Sequence, residues 1–446
     1  MEIRQFEYKP LSHFSYAITS GGKMALVDPE RNPEMYYEYA DSVNAKIVAV
    51  FETHPHADFV SSHLQIARET GAIIFASEKL GATYKHQSFD SGDTYKLGTV
   101  TLTAINTPGH SPDSITIVAE AASETALFTG DTLFVGDVGR PDLRENAGNM
   151  RAKREELAKA MFETISTKFN HLPDGALIYP AHGAGSLCGK NLSDAASSTL
   201  GNERTGNWAF KTQSEEEFVE TILDSQPFIP HYFGLNVDIN KDGADKVEKS
   251  VAAVPVKIGF ASEKTLPLVI DTRDESVFKM GHLPNSINIM AQSANSKFET
   301  WLGSTVQPGE KFYLVVDKFS SVETLLHRTA KIGYEKQIVA VVTLGSKMLQ
   351  SNPKFDLDHF KIHQSDYTIV DIRNASETEQ GKFFENALTI PLHELRERAG
   401  EVPPDKPVVV HCAGGYRSAA GSSILNKELE QAKVYDLSDG VKEFSN

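Results

Sequence analysis

The sequence predicts a multidomain α/β chain, and three observations carry that prediction. At 446 residues it is longer than one hydrophobic core usually serves, so two or three domains are expected. In the first half, four apolar, strand-like runs each end in a short polar loop bearing His or Asp. In the second half, strand-like and helix-like patterns alternate and one of them recurs, which is the texture of parallel α/β modules.

The four runs are AKIVAVFET (45–53), leading into HPHAD; VTLTAINT (100–107), into PGHSPDS; TALFT (125–129), into GDT; and ALIYP (176–180), into AHGAG. Strands that end this way bring their terminal polar side chains to one edge of a sheet. The stretch QPFIPHYFGLNVDINKDGADK, 226–246, is rich in Pro, Gly and Asn and reads as a linker. Beyond it, LVIDTRDESVFKMGHLPNSINI (268–289) aligns with TIVDIRNASETEQGKFFENALTI (368–390), pairing Asp271 with Asp371, Arg273 with Arg373 and Gly281 with Gly381. Further on, YLVVDKFSSVET aligns with VVVHCAGGYRS. The expected domains are therefore 1–245, 246–355 and 356–446.

A formal charge of −16, without a block of Lys or Arg, argues against nucleic-acid or anionic-membrane partners and for small molecules. No apolar run approaches the ~18 residues of a membrane span, and residues 1–20 lack the basic-then-apolar pattern of a signal peptide. A cytoplasmic location is expected. With two cysteines, Cys188 and Cys412, free thiols are expected rather than a disulfide framework.

THPHADFVSSH places His54, His56 and Asp58 on a turn after a strand; His110, Asp131 and His182 fall at three further strand ends. Such a gathering points to a metal. On these motifs the first ~240 residues resemble the metallo-β-lactamase superfamily, which implies an αββα sandwich with metal at the strand ends. The family pattern HxHxDH calls for histidine at position 59, where this chain has Phe59. Members with two metals need that histidine, so a dinuclear zinc site is not expected. Two imidazoles and one carboxylate with open positions suit non-haem iron. Within the superfamily the chain resembles the persulfide dioxygenase branch. That implies mononuclear Fe(II) on His54, His110 and Asp131, with His56, Asp58 and His182 orienting the ligands. A competing reading keeps His56 as a fourth ligand to zinc.

Two further residues of this half draw attention. Arg140, in VGDVGRPDL, is a candidate to hold the carboxylate of a thiol such as glutathione through paired hydrogen bonds; the alternative is local pairing with Asp142. Cys188, in HGAGSLCGKN, has glycines around it and a lysine after it. This suggests an accessible loop that favours a thiolate and can present a persulfide; the alternative is a small buried apolar residue.

The second half resembles rhodanese domains, on the V-I-D-T-R and V-D-I-R strand ends, GHLPNSINI, and the cysteine loop. The second copy departs in reading GKFFENALTIP where the first has the GHxP form. Four residues, Ala413 to Tyr416, separate Cys412 from Arg417. Cysteine phosphatases have five. The shorter loop has a tighter ring of N–H groups, suited to a terminal persulfide sulfur, with Arg417 binding the anion. In the first copy Lys318 stands for the cysteine and Glu323 for the arginine, so that module is expected to space or pack only.

Together the resemblances imply an enzyme that oxidises low-molecular-weight persulfides, such as glutathione persulfide, with O2 to sulfite. Cys412 would make thiosulfate from that sulfite, or use thiosulfate as a sulfur source. Glutathione or another thiol is the implied carrier, and family habit implies a homo-oligomer. Two other readings stand beside it: a thioester hydrolase of the glyoxalase II kind with an appended sulfurtransferase, and a sulfide-responsive carrier or sensor.

Overall fold

Along Val100–Asn106 buried and half-exposed side chains alternate, the period of a strand with one face in a core. In the computed structural model, which describes residues 1–145, 153–212, 214–260, 266–345, 349–429 and 431–444, this strand joins a six-stranded sheet. Its order is Ser198–Thr199, Leu177–Pro180, Glu124–Gly130, Ile115–Ala121, Val100–Asn106 and Thr94–Leu97. A second six-stranded sheet runs through Glu2–Tyr8, His13–Ser20, Lys23–Val27, Lys46–Phe51, Ile73–Ala76 and Gln87–Ser88. Phe14, Tyr16 and Phe51 from one sheet meet Leu102, Ile117 and Phe128 from the other in one buried cluster. The outer face of the 2–88 sheet is covered by Glu34–Ser42, through Tyr36 and Ala40. The outer face of the other is covered by Arg154–Glu163 and Glu215–Leu223, through Ala158, Met161 and Phe218. Each sheet thus buries both faces, giving the αββα sandwich that the sequence leads one to expect.

These elements belong to a unit formed by Met1–Ser250 with Thr329–Gly333; Val251–Arg328 and Tyr334–Asn446 form another. One sequence expectation fails here. The supposed linker at 226–246 contains the helix Tyr232–Asp242, with Tyr232, Phe233, Asn236, Val237 and Asn240 buried. Those positions recur at helical spacing. The polar composition misleads because the asparagines work inside the fold: Asn240 Nδ2 donates to the carbonyls of His56 (2.8 Å) and Phe59 (2.7 Å), and its Oδ1 accepts from Ser61 N–H (2.8 Å). A helix read as a tether therefore clamps the HPHAD loop.

In the other unit both sheets are parallel. One runs Val256–Phe260, Ile338–Leu344, Phe312–Val315, Leu268–Asp271, Ser286–Asn288; the other runs Leu388–Thr389, Thr368–Asp371, Val408–His411, Val434–Asp436. The repeated residues do the same work twice. Arg273 forks onto Asp271 and donates to the Gly281 carbonyl (2.7 Å); Arg373 forks onto Asp371 and donates to the Gly381 carbonyl (2.9 Å). In each copy this ties the end of a strand to the turn after the next helix. Among the described residues no helix is long and apolar enough to cross a membrane.

Candidate functional site

The strands Lys46–Phe51, Val100–Asn106, Glu124–Gly130 and Leu177–Pro180 are followed within a few residues by His54, His110, Asp131 and His182, all buried. Close backbone approach makes the gathering possible. Gly130 sits at φ 52°, and a Cβ there would collide with the Thr53 side chain; at Gly139 it would strike the Asp131 carbonyl.

His54 Nε2 lies 3.7 Å and His110 Nε2 3.5 Å from Asp131 Oδ2. Donors each about 2.0–2.2 Å from one ion are at most about 4.4 Å apart, so these three atoms fit around a single metal. Neither His54 Nε2 nor Asp131 Oδ2 has a hydrogen-bond partner. Buried polar atoms left bare in this way are what a metal would satisfy. His110 Nδ1 pairs with the Arg140 carbonyl (2.9 Å), so that nitrogen carries the proton and Nε2 presents its lone pair.

A longer chain orients His54. The Asp28 carboxylate accepts from Thr53 N–H and from the Thr53 hydroxyl, both at 2.8 Å. The Thr53 oxygen is then free to accept from His54 Nδ1–H at 3.1 Å, which again leaves Nε2 bare. Charge states agree. Burial pushes both imidazoles down, below the ordinary histidine range, so both are neutral. Burial opposes the charge on Asp131, yet His182, then His54 and His110, hold its carboxyl well below the usual range.

His182 stands between two carboxylates, 2.7 Å from Asp131 Oδ1 and 2.7 Å from Asp58 Oδ2. Burial works against its charge, but the two carboxylates raise its pKa to about 10. Among the described residues two other side-chain sets have ligand atoms close enough for an ion, His56–Asp131–His182 and Asp58–His182–Cys188. Both need His182, whose two nitrogens are already engaged. His56 lies with Nε2 3.4 Å from Asp28 Oδ2 and Nδ1 3.9 Å from Asp58 Oδ1. Phe59 is fully buried, its ring 3.8 Å from His13 and 4.5 Å from His56 between centroids. An aromatic ring therefore stands where the family pattern has a ligand.

Two expectations need correction. The Arg140 guanidinium is buried, and its fork is taken: Nε and one terminal nitrogen donate to Asp142 at 2.7 Å each, and the other donates to the Leu187 carbonyl. With its donors so engaged it does not offer a carboxylate clamp; it serves the site through its backbone carbonyl on His110. Cys188 lies beside Asp58 and His182, and it is buried rather than accessible. Burial, with Asp131 and Asp58 nearby, pushes its thiol pKa up, the opposite of a favoured thiolate. The lysine that follows, Lys190, donates to the Thr221 and Asp224 carbonyls instead.

In the other unit Cys412 follows the strand Val408–His411, and the Gly415 N–H donates to its sulfur at 3.2 Å. Gly415, at φ 102°, turns the chain into the helix Tyr416–Glu428. Arg417 lines the same cavity as Cys412 and donates to Glu377, at 2.5 and 2.7 Å. The degenerate loop of the first copy, Lys318 to Ser320, is exposed and holds no thiol. The residues that sequence patterning did not single out are Asp28, Thr53, Asn240 and Glu377. Of these Asp28 was within reach, since MALVDP is one more apolar run ending in a carboxylate.

Residues 8–182 match the metallo-beta-lactamase superfamily model, and residues 259–350 and 358–446 match that of the rhodanese-like domain. A crystal structure described as a metallo-beta-lactamase from Staphylococcus aureus subsp. aureus COL is 32% identical, with a TM-score of 0.68, over 77% of this chain and 99% of that one. The mitochondrial persulfide dioxygenase of Homo sapiens is 27% identical over 228 residues, 49% of this chain and 80% of that protein. A probable hydroxyacylglutathione hydrolase of Schizosaccharomyces pombe is 31% identical over 163 residues, 35% of this chain and 58% of that protein, so the match spans little more than half of that relative.

Proposed function

The chain belongs to the metallo-β-lactamase superfamily and carries rhodanese-like domains after that domain, and from this premise we propose that it is a mononuclear Fe(II) persulfide dioxygenase coupled to a sulfurtransferase. A low-molecular-weight persulfide such as glutathione persulfide, O2 and water give the thiol, sulfite and two protons. The observation that supports the reading is the convergence of His54 Nε2 and His110 Nε2 on Asp131 Oδ2, with His54 Nε2 and Asp131 Oδ2 left without hydrogen-bond partners, and with phenylalanine at position 59. His54, His110 and Asp131 would hold the iron, which would supply the activation of O2. The chain's own groups do the rest. Asp28 and Thr53 hold His54, the Arg140 carbonyl holds His110, and His182 steadies Asp131 against Asp58.

For the second activity, Cys412 carries a sulfane sulfur as a persulfide. The sulfur lone pair of sulfite attacks the outer sulfur, the S–S bond breaks, and its electron pair returns to Cys412 as thiolate while thiosulfate leaves. The same step in reverse loads Cys412 from thiosulfate. The Gly415 N–H donates to that sulfur and helps to fix its position.

The test is O2 uptake with glutathione persulfide, assaying sulfite and thiosulfate, for wild type and Cys412→Ser. Sulfite replacing thiosulfate in the variant supports the coupled scheme, and an unchanged product ratio refutes it. Stoichiometric zinc in anaerobically purified protein, with no O2 uptake, would remove the dioxygenase. The likeness to hydroxyacylglutathione hydrolases favours a second reading, a thioester hydrolase with an appended sulfurtransferase. Hydrolysis of S-lactoylglutathione would support it.

A further inference from the structure

Five residues matched to the first rhodanese-like copy, Thr329–Gly333, belong to the unit that holds His54, His110 and Asp131. They meet the HPHAD loop at the peptide bond between Phe59 and Val60. The Phe59 carbonyl accepts from Asn240 Nδ2 at 2.7 Å, and the Val60 N–H donates to the Lys331 carbonyl at 2.7 Å. A peptide plane carries one acceptor and one donor, so holding both fixes its tilt and the direction in which the Phe59 side chain leaves the chain. That ring lies 3.8 Å from His13 and 4.5 Å from His56, and the His56 ring lies 4.1 Å from that of His54, all between centroids.

The two supports rest on each other. Gly333, at φ 71°, comes so close to the helix Tyr232–Asp242 that a Cβ would strike Ile239 and crowd Asn236. Lys331 is also anchored through its side chain. The side chain is buried, its ammonium pairs with Glu30, and the nitrogen lies 3.6 Å from the centre of the Tyr8 ring. Glu30 follows Asp28 by two residues, and Asp28 is the carboxylate that orders His54 through Thr53. One residue thus spans two loops: its carbonyl holds the loop of His54 and His56, and its ammonium holds the loop of Asp28.

Resting on the reading that His54, His110 and Asp131 hold a metal, we infer that Lys331 is a positioning residue for that metal, a cross-brace that keeps Asp28 in register with His54 and Phe59 packed on His56. The copy without a sulfur-transfer cysteine thereby contributes to the metal site.

Three variants of the full chain test the brace. Lys331→Met cuts the tie to Glu30; Lys331→Met with Glu30→Gln cuts it without leaving a buried carboxylate alone; Gly333→Ala wedges the segment away without touching a charge. In metal-free protein, hydrogen exchange over residues 54–63 is expected to accelerate in each by at least about fivefold, the net worth of one hydrogen bond, beyond any change in the strand Glu124–Gly130. Anaerobic competition for Fe(II) against a chromophoric chelator is expected to show about a tenfold loss of affinity. The visible absorption of the Co(II)-loaded protein, which follows ligand geometry, should shift as well. Unchanged exchange over 54–63, or equal acceleration in both segments, would overturn the inference. So would wild-type Fe(II) affinity and an unshifted Co(II) spectrum in variants whose exchange has quickened. A wild type that binds neither metal would remove the reading of the three ligands, whereas the exchange comparison would still decide whether Lys331 braces the loop.

Discussion

Replacing Asp28 by Asn tests whether the hydrogen-bond chain behind His54 sets its tautomer. In the native chain both carboxylate oxygens accept, one from Thr53 N–H and one from the Thr53 hydroxyl, each at 2.8 Å. Asn keeps the shape, and the backbone N–H of Thr53 fixes which way its amide turns: the amide oxygen must face that N–H. The NH2 group then faces Thr53 Oγ1, so the hydroxyl can no longer donate to residue 28 and donates instead to His54 Nδ1, 3.1 Å away. Nδ1 becomes an acceptor, the proton moves to Nε2, and the lone pair aimed at the metal is lost. Loss of an outer partner costs about 10–100-fold in metal affinity, or about 1.4–2.8 kcal/mol. Thr53→Val only removes the orienting bond and belongs at the lower end, about tenfold; Asp28→Asn, which reverses the chain, belongs at the upper end, about 100-fold. Anaerobic competition for Fe(II) against a chromophoric chelator measures both, with a urea transition confirming that each variant is folded. Wild-type affinity in Asp28→Asn, or a larger loss in Thr53→Val, would refute the tautomer argument.

Arg140→Met leaves Asp142 buried without its cation, so urea unfolding should show a loss of about 3–5 kcal/mol, while KM for glutathione persulfide in the folded protein stays unchanged because the fork is structural. Asn240→Ala removes three hydrogen bonds to the HPHAD loop and should cost about 2–4 kcal/mol of stability by the same measurement, with weaker iron binding in the chelator competition. Phe59→His restores the missing ligand type, and anaerobic zinc titration with metal analysis should find a second bound equivalent that wild type lacks. For Glu377, burial opposes the charge but Arg417 holds the carboxyl below its usual range. A depressed carboxylate contributes stability above its unfolded pKa of about 4.3 and loses it as pH falls through the lower folded value. The stability gap between wild type and Glu377→Gln should therefore be full near neutrality and close in acid, as read by urea unfolding across pH.

The gathering of histidines is legible in local pattern, and the sandwich in the family resemblance that those motifs carry. Apolar runs of strand length stop at His or Asp, and parallel strands that stop together bring those residues together. Arg140 was misread because a single sequence does not say whether a cation faces a cavity or turns onto the carboxylate two residues away. Cys188 was misread for a different reason. Its glycines signalled openness, yet a Cβ at Gly189 would strike Leu192 and Phe134, and one at Gly183 would strike Phe14. These glycines permit close packing, which buries the thiol. Asn240 was out of reach, since its partners at His56 and Phe59 lie more than 180 residues away in sequence.

The two rhodanese-like copies separate what the fold requires from what the chemistry requires. Asp271, Arg273 and Gly281 repeat the bonds of Asp371, Arg373 and Gly381 almost atom for atom, because losing either partner of a buried fork leaves an uncompensated charge. The active loop is under no such constraint. Lys318 and Glu323 stand exposed where Cys412 and Arg417 are enclosed, so the first loop could change without touching its core. Substitutions of the exposed Lys318 and Glu323 should therefore alter neither sulfur exchange nor stability. The rate of sulfur exchange with sulfite as acceptor in Lys318→Ala, measured beside wild type, checks this. A loss in the variant would mean that the degenerate loop still takes part.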